Sequence, residues 1–263
     1  MPPAVIDIGW MQLGLGLLFI VIAGLASVLQ ALDLERKLLI GTARTFAQLF
    51  LLGYVLKFVF NLNNMWLVIL IFVFMIYFAS RTIYKSVDER QVSFFLPTFF
   101  SMLISFFFVS FVVTAIIVDV TPWWKPQYFI PLGGMVIGNS MNAVAVALER
   151  LLNELRNRRN EIEMMLCHGA DYKEASREIL RNAMRAGMIP SINSMMAVGI
   201  VFIPGMMTGQ IIAGADPIAA IKYQIVVMVM LVGSTTIGTL LIILFVRRRC
   251  FSSGQQLLLS PRG

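Results

Sequence analysis

Charge is scarce in this chain. Asp, Glu, Lys and Arg make up 13% of its 263 residues and apolar residues 59%, against about 25% charged and about 45–50% apolar in soluble domains, which excludes a water-soluble globule. Cysteine is nearly absent: Cys167 and Cys250 are too few for a disulfide framework, and no redox role follows. The one histidine, His168, lies in a charged stretch far from any serine within an apolar run, which argues against an intramembrane serine protease. There is no HExxH, no pair of aspartates inside an apolar run, and no GxxxxGK[ST] phosphate loop. An enzyme is therefore disfavoured and no catalytic or metal-ligating set is assigned. No Lys or Arg precedes the first apolar run, so that run is expected to remain in the mature chain rather than act as a signal peptide.

What the chain has is length in hydrocarbon. Its mean hydropathy is +0.83, and crossing about 30 Å of bilayer takes about 20 apolar helical residues. Seven runs qualify: Ile8–Leu32, Leu38–Phe60, Met65–Tyr84, Phe94–Val118, Tyr128–Leu148, Ala186–Ala213 and Tyr223–Val246. The expected fold class is all-α, a polytopic membrane protein of about seven transmembrane helices forming one permease-like domain over residues 1–263. With the N-terminus outside, 18 of the 21 cations fall in cytoplasmic segments and only Lys57, Lys125 and Lys222 outside. That bias predicts N-out, C-in, in an inner (plasma) membrane. The net charge of +7 is thus a signature of the inner face in contact with lipid headgroups. Its scatter among Glu149, Glu154, Glu161 and Glu163 argues against nucleic acid. Trp10, Trp66, Trp123 and Trp124 all fall near outer span ends.

One connection is long. Residues 148–186 are highly charged yet place Leu151, Leu152, Leu155, Ile162, Met165, Leu166, Ala175, Ile179 and Ala183 at helical spacing, which predicts amphipathic helices broken near Gly169-Ala170-Asp171. A pair between Glu154 and Arg158 is expected on i,i+4 spacing. The run from Glu163 through Leu166 and His168 to Gly169 and Ala170 has a Glu six residues before a Gly. It resembles the EAA---G element of ABC-transporter permeases, in which a short helix docks on the ATP-hydrolysing subunit, with Met164 and Met165 in place of the alanines. Beyond it Ile179 stands where the element has isoleucine, while Arg181 and Asn182 replace its Leu-Pro.

Polar residues inside spans need protein or water around them. The second span carries Arg44-Thr-x-x-Gln48 and Gly53-Tyr54. The fifth carries Pro131-Leu-Gly-Gly-Met and Gly138-Asn139-Ser140-Met-Asn142, with Gly134 and Gly138 spaced for close helix approach. The sixth carries Pro190-x-x-Asn193-Ser194-Met and then Pro204-Gly-Met-Met-x-Gly-Gln210. For any single residue helix-to-helix glue suffices; together these side chains suggest a pathway lining. These strings closely resemble the FetB-like family of ABC permeases, which includes a bacterial permease implicated in iron export and plant relatives implicated in aluminium tolerance. The resemblance implies a permease that forms a homodimer and pairs with a separate ABC ATPase subunit that binds the ATP. Relatives are associated with different cargos; metal export, iron foremost, is the expected function, and no cofactor of its own is expected. Because polar side chains between broken helices are costly unless water, protein or substrate satisfies them, Arg44, Gln48, Asn139, Ser140, Asn142, Asn193, Ser194 and Gln210 are the pathway candidates. An ion-coupled secondary transporter or channel is the alternative, although such carriers usually hold a titratable carboxylate near the midplane, whereas Asp and Glu here fall in loops and span ends. Methionines cluster in the fifth and sixth spans, where adaptable apolar filling is the simpler role.

Overall fold

The computed structural model describes residues 8–260 except Asp88 and Arg90. The described residues are helical with no strands, and six helices are long and apolar enough to cross a bilayer. The chain divides into two compact units, the first reaching to Asn63 with Ile212–Ala215 added, the second holding the rest.

In the first unit α1 (Trp10–Gly16) and α2 (Leu18–Leu29) bend at Leu17 but form one span, and α3 (Glu35–Leu62) is the next. Ser27 closes the turn between α2 and α3: its hydroxyl donates to Glu35 (2.9 Å) and accepts from the Leu34 amide (2.9 Å). That buried hydroxyl satisfies two polar groups which hydrocarbon would leave unpaired. Trp10 stacks on Phe50 at 5.6 Å between ring centroids.

The second unit starts with α4 (Met65–Ser86), capped by the Asn64 side chain accepting from Trp66 N (2.9 Å). Helix α5 (Phe95–Val112) runs into a π-helical turn at Val113–Ile117. Its small polar residues face inward. Thr98, Ser101, Ser105 and Ser110 are buried while Phe100, Ile104 and Phe108 are exposed, because a hydroxyl bonded to the i−4 carbonyl, as Thr98 is to Phe94 (2.8 Å), is nearly neutral and lets helices approach. Trp123 packs edge-on against Phe107, Phe111 and Phe129, so it is part of an aromatic cluster, whereas Trp66 is exposed as expected of a headgroup-level indole.

Helix α6 (Pro126–Asn157) has 32 residues, about 48 Å at 1.5 Å per residue, and so projects beyond any hydrocarbon layer of about 30 Å. The segment continues through two short helices, α7 (Arg159–Cys167) and α8 (Tyr172–Ala175), into the longer α9 (Arg177–Ala197). Its apolar stripe is buried inside the unit: Leu151, Leu152, Leu155, Ile162, Ile179 and Ala183 are all 2% exposed or less. The expected sixth span is not one helix. Helix α9 ends at Ala197, residues 198–204 are irregular, and α10 (Gly205–Ile212) resumes before α11 (Pro217–Arg249). Gly199 at φ +82°, three β-branched residues at 200, 201 and 203, and Pro204, which lacks an N–H and disfavours helix before it, account for the interruption. Helices α6 and α9 meet at Gly187, where a Cβ would lie 2.7 Å from the Ala143 carbonyl oxygen. Gly138, expected to serve such an approach, has open space beside it.

Candidate functional site

Helices α6, α9 and α11 and the irregular segment enclose a cavity of about 550 Å³. Asn139 and Asn142 reach it from α6, Ser194 from α9 and Gln224 from α11, with the thioethers of Met135, Met206 and Met228 among the apolar walls. No Asp, Glu, Lys, Arg or His is among the described lining residues. The Asn139 amide nitrogen donates to the Met135 carbonyl (2.9 Å). Gln224 is 6% exposed and its Oε1 has no hydrogen-bond partner among the described residues. An orphaned amide oxygen costs about 1–3 kcal/mol when buried, so the Gln224 side chain offers this cavity a free hydrogen-bond acceptor. A smaller cavity of about 410 Å³ adjoins, sharing Gln224 and Met228 and adding Met195 and Met207.

The sequence-derived candidates scatter around this cavity. Asn139, Asn142 and Ser194 line it. Ser140, next on the helix and so turned by about 100°, is fully buried against α11, its Oγ 3.1 Å from Thr235 Oγ1. Asn193 is exposed and outside the lining. Gln210, on α10, also lies outside it, with a buried Oε1 lacking a partner. Arg44 and Gln48 are exposed residues of α3 in the first unit. Gln224 went unread: an amide one residue past the expected start of the last span, at Tyr223, looks like a boundary residue, and only the length of α11 places it within the helix.

The far end of α6 makes a second candidate site. After α7 the chain turns at Gly169 (φ +93°), a conformation that costs a residue with a Cβ. Asp171 then caps α8, accepting from Glu174 N (2.7 Å) while its own amide donates to the Glu174 side chain (3.1 Å). Glu163 accepts from Arg159 (2.6 Å), Leu166 and Ala170 are half-buried, and His168 is exposed with Nδ1 2.8 Å from the Met164 carbonyl. The expected pair of Glu154 with Arg158 does not form. Glu154 pairs with Arg150 (2.5 Å), whereas Arg158, at the bend that ends α6, points forward to Glu161 (2.6 Å) and Glu178 (3.1 Å). That hydrogen bond from Arg158 holds the Glu161 carboxyl below the usual carboxylate range.

Glu163, Leu166, Gly169 and Ala170 form one wall of a cleft of about 810 Å³ whose other wall is residues 253–257, after α11. This tail folds back onto the unit. Leu257 and Leu259 are buried, the Ser260 carbonyl accepts from Arg156 Nε (2.9 Å) and the Leu259 carbonyl from Arg159 (2.8 Å). Arg156 also pairs with Glu89 out of water.

Six long apolar helices, with a largely apolar cavity into which three side-chain amides reach, define a multi-pass α-helical membrane protein. The chain matches the uncharacterised protein family UPF0014 over residues 10–251, and it belongs to that family. It is 39% identical to a UPF0014 membrane protein of Synechocystis sp. over 96% of this chain and 95% of that protein. It is 32% identical to the probable iron export permease protein FetB of Escherichia coli, over 95% of each chain. It is 31% identical to the protein ALUMINUM SENSITIVE 3 of Arabidopsis thaliana, over 88% of this chain and 84% of that protein. No solved structure matches the chain.

Proposed function

We propose that the chain is the membrane-spanning permease subunit of an ABC transporter exporting metal, iron foremost, across the inner membrane as a homodimer driven by a separate ATPase subunit. The observation that carries this reading is α6. One continuous helix contributes Asn139 and Asn142 to the cavity and, from Asn142 to Asn157, runs about 22 Å to the corner where Glu163 and Gly169 stand. Motion imposed on the corner is thereby delivered to the cavity wall. The corner presents Met164, Cys167, His168 and Gly169 to solvent beside the cleft that Glu163 lines, which suits the ATPase-coupling set Glu163, Leu166, His168, Gly169 and Ala170. The name of the E. coli relative, a probable iron export permease protein, supports iron as the cargo.

Asn139, Asn142, Ser194 and Gln224 form the pathway wall in this account, the remaining candidates being held nearby. Neutral oxygens can pass a hydrated or ligand-bound metal without trapping it, as multivalent carboxylate cages would. The cation bias of the sequence supports N-out and C-in termini, with α7 in the cytoplasm. The test is purification of the tagged permease together with its ATPase and reconstitution of both in vesicles. ATP-dependent metal movement that needs both subunits supports the reading; metal flux by the permease alone, driven by an ion gradient, assigns it instead to the secondary transporters.

A further inference from the structure

A groove of about 850 Å³ runs between the start of α5 and the end of α11, and nothing in the transport account uses it. Its wall on α5 is Leu96, Phe100 and Ile104, one residue per helical turn and 56%, 54% and 62% exposed. Phe245 of α11, 51% exposed, faces it. From Leu96 to Ile104 the apolar wall descends about 12 Å from the end of a membrane-spanning helix, the depth at which an acyl chain lies.

The mouth is different in kind. Arg248 and Arg249 line it and are exposed. Among the described residues neither has an ion-pair partner, whereas Arg150, Arg156, Arg158 and Arg159 at the α6 corner are each paired with a glutamate. The neighbouring Arg247 is turned inward, its guanidinium 5.6 Å from the centre of the Tyr172 ring. Arg248 makes only a long hydrogen bond, 3.4 Å, to the Tyr172 hydroxyl. Two guanidinium groups without an ion-pair partner among the described residues, at the end of a membrane-spanning helix and over an apolar slot, complement a molecule with an anionic head and hydrocarbon tails. We propose that this groove is a binding site for an anionic phospholipid of the adjacent leaflet, its phosphate between Arg248 and Arg249 and one acyl chain along Leu96, Phe100 and Ile104. The site stands independently of what the protein transports.

The test uses the purified full-length protein in detergent, with native mass spectrometry and thermal unfolding as readouts and phosphatidylglycerol, phosphatidylcholine and glycerol phosphate as probes. Phosphatidylglycerol is expected to remain bound and to raise the unfolding temperature, phosphatidylcholine and glycerol phosphate to do neither. Arg248→Gln with Arg249→Gln is expected to weaken phosphatidylglycerol binding by about twenty-five-fold, since each cation near a charged lipid surface contributes about fivefold. Arg81→Gln with Lys85→Gln, an equally basic and exposed helix end without a groove, is expected to leave it unchanged. Ile104→Trp keeps both arginines, fills the slot and is expected to lower retention of the lipid. Equal losses in the two double variants would reduce the effect to general surface attraction and overturn the site. So would equal binding of phosphatidylcholine, equal stabilisation by glycerol phosphate alone, or a shift from dimer to monomer with lipid retention unchanged, which would make the groove a contact between copies.

Discussion

Ser140 of α6 and Thr235 of α11 face each other with their hydroxyl oxygens 3.1 Å apart, both fully buried. The bond lies behind the cavity wall, so Ser140 holds in place the helix whose neighbouring residues, Asn139 and Asn142, face the space. Interhelical hydrogen bonds in bilayers contribute about 0.6 kcal/mol on average and about 1.7 at most. Ser140→Ala is therefore expected to lower stability in detergent by about that amount and to leave transport per folded molecule unchanged. Thermal unfolding and flux measured on the same preparation check this; a flux defect at normal stability would return Ser140 to the pathway itself.

Gln224 predicts the opposite pairing. Its Oε1 is buried without a partner among the described residues, so Gln224→Leu removes an unsatisfied acceptor while keeping the shape. Stability is expected to hold or rise by about 1–3 kcal/mol, and metal transport to fall. A variant both less stable and fully active would show that the glutamine is structural.

The two cysteines separate by burial. Cys167 is exposed and Cys250 fully buried, with burial pushing the Cys250 thiol up to about 12. Since the thiolate is the reactive form, a maleimide at pH 7 is expected to modify Cys167 alone in the folded protein. In intact cells an impermeant reagent is expected to modify neither, because Cys167 sits on the cytoplasmic face in the proposed topology. Labelling of Cys167 from outside would invert that topology.

Gly169→Val places a β-branched residue at φ +93°, a strain of about 1–3 kcal/mol, confined to an exposed turn. Membrane insertion is expected to be normal and association with the ATPase weakened, measured by co-purification. Unchanged association and unchanged stimulated hydrolysis would remove the corner from the docking surface.

The membrane architecture was legible because hydrocarbon imposes a length rule: every expected span except the sixth corresponds to a single continuous apolar stretch, and the break near Gly169 could be read from a glycine amid amphipathic spacing. The interruption at residues 198–204 was less legible, since Val198 to Ile203 is as apolar as any span and only Gly199 and Pro204 signal it. The close helix approach expected at Gly138 falls instead at Gly187, against Ala143, because a small-residue spacing fixes no partner. Faces were the hardest to assign. Asn139, Ser140 and Asn142 are nearly adjacent in sequence, and the packing of α11 alone turns Ser140 to Thr235. The back-folded tail carries no periodicity, so neither its cleft with Glu163 nor the Arg156–Glu89 pair could be anticipated.

The account stands most directly on one measurement, metal flux in sealed vesicles holding the permease with and without its co-purified ATPase. It predicts flux that requires both proteins and ATP, is abolished by omitting either, and is reduced in Gln224→Leu with ATPase association intact. Equal flux without the ATPase, sustained by a proton or sodium gradient, would contradict it.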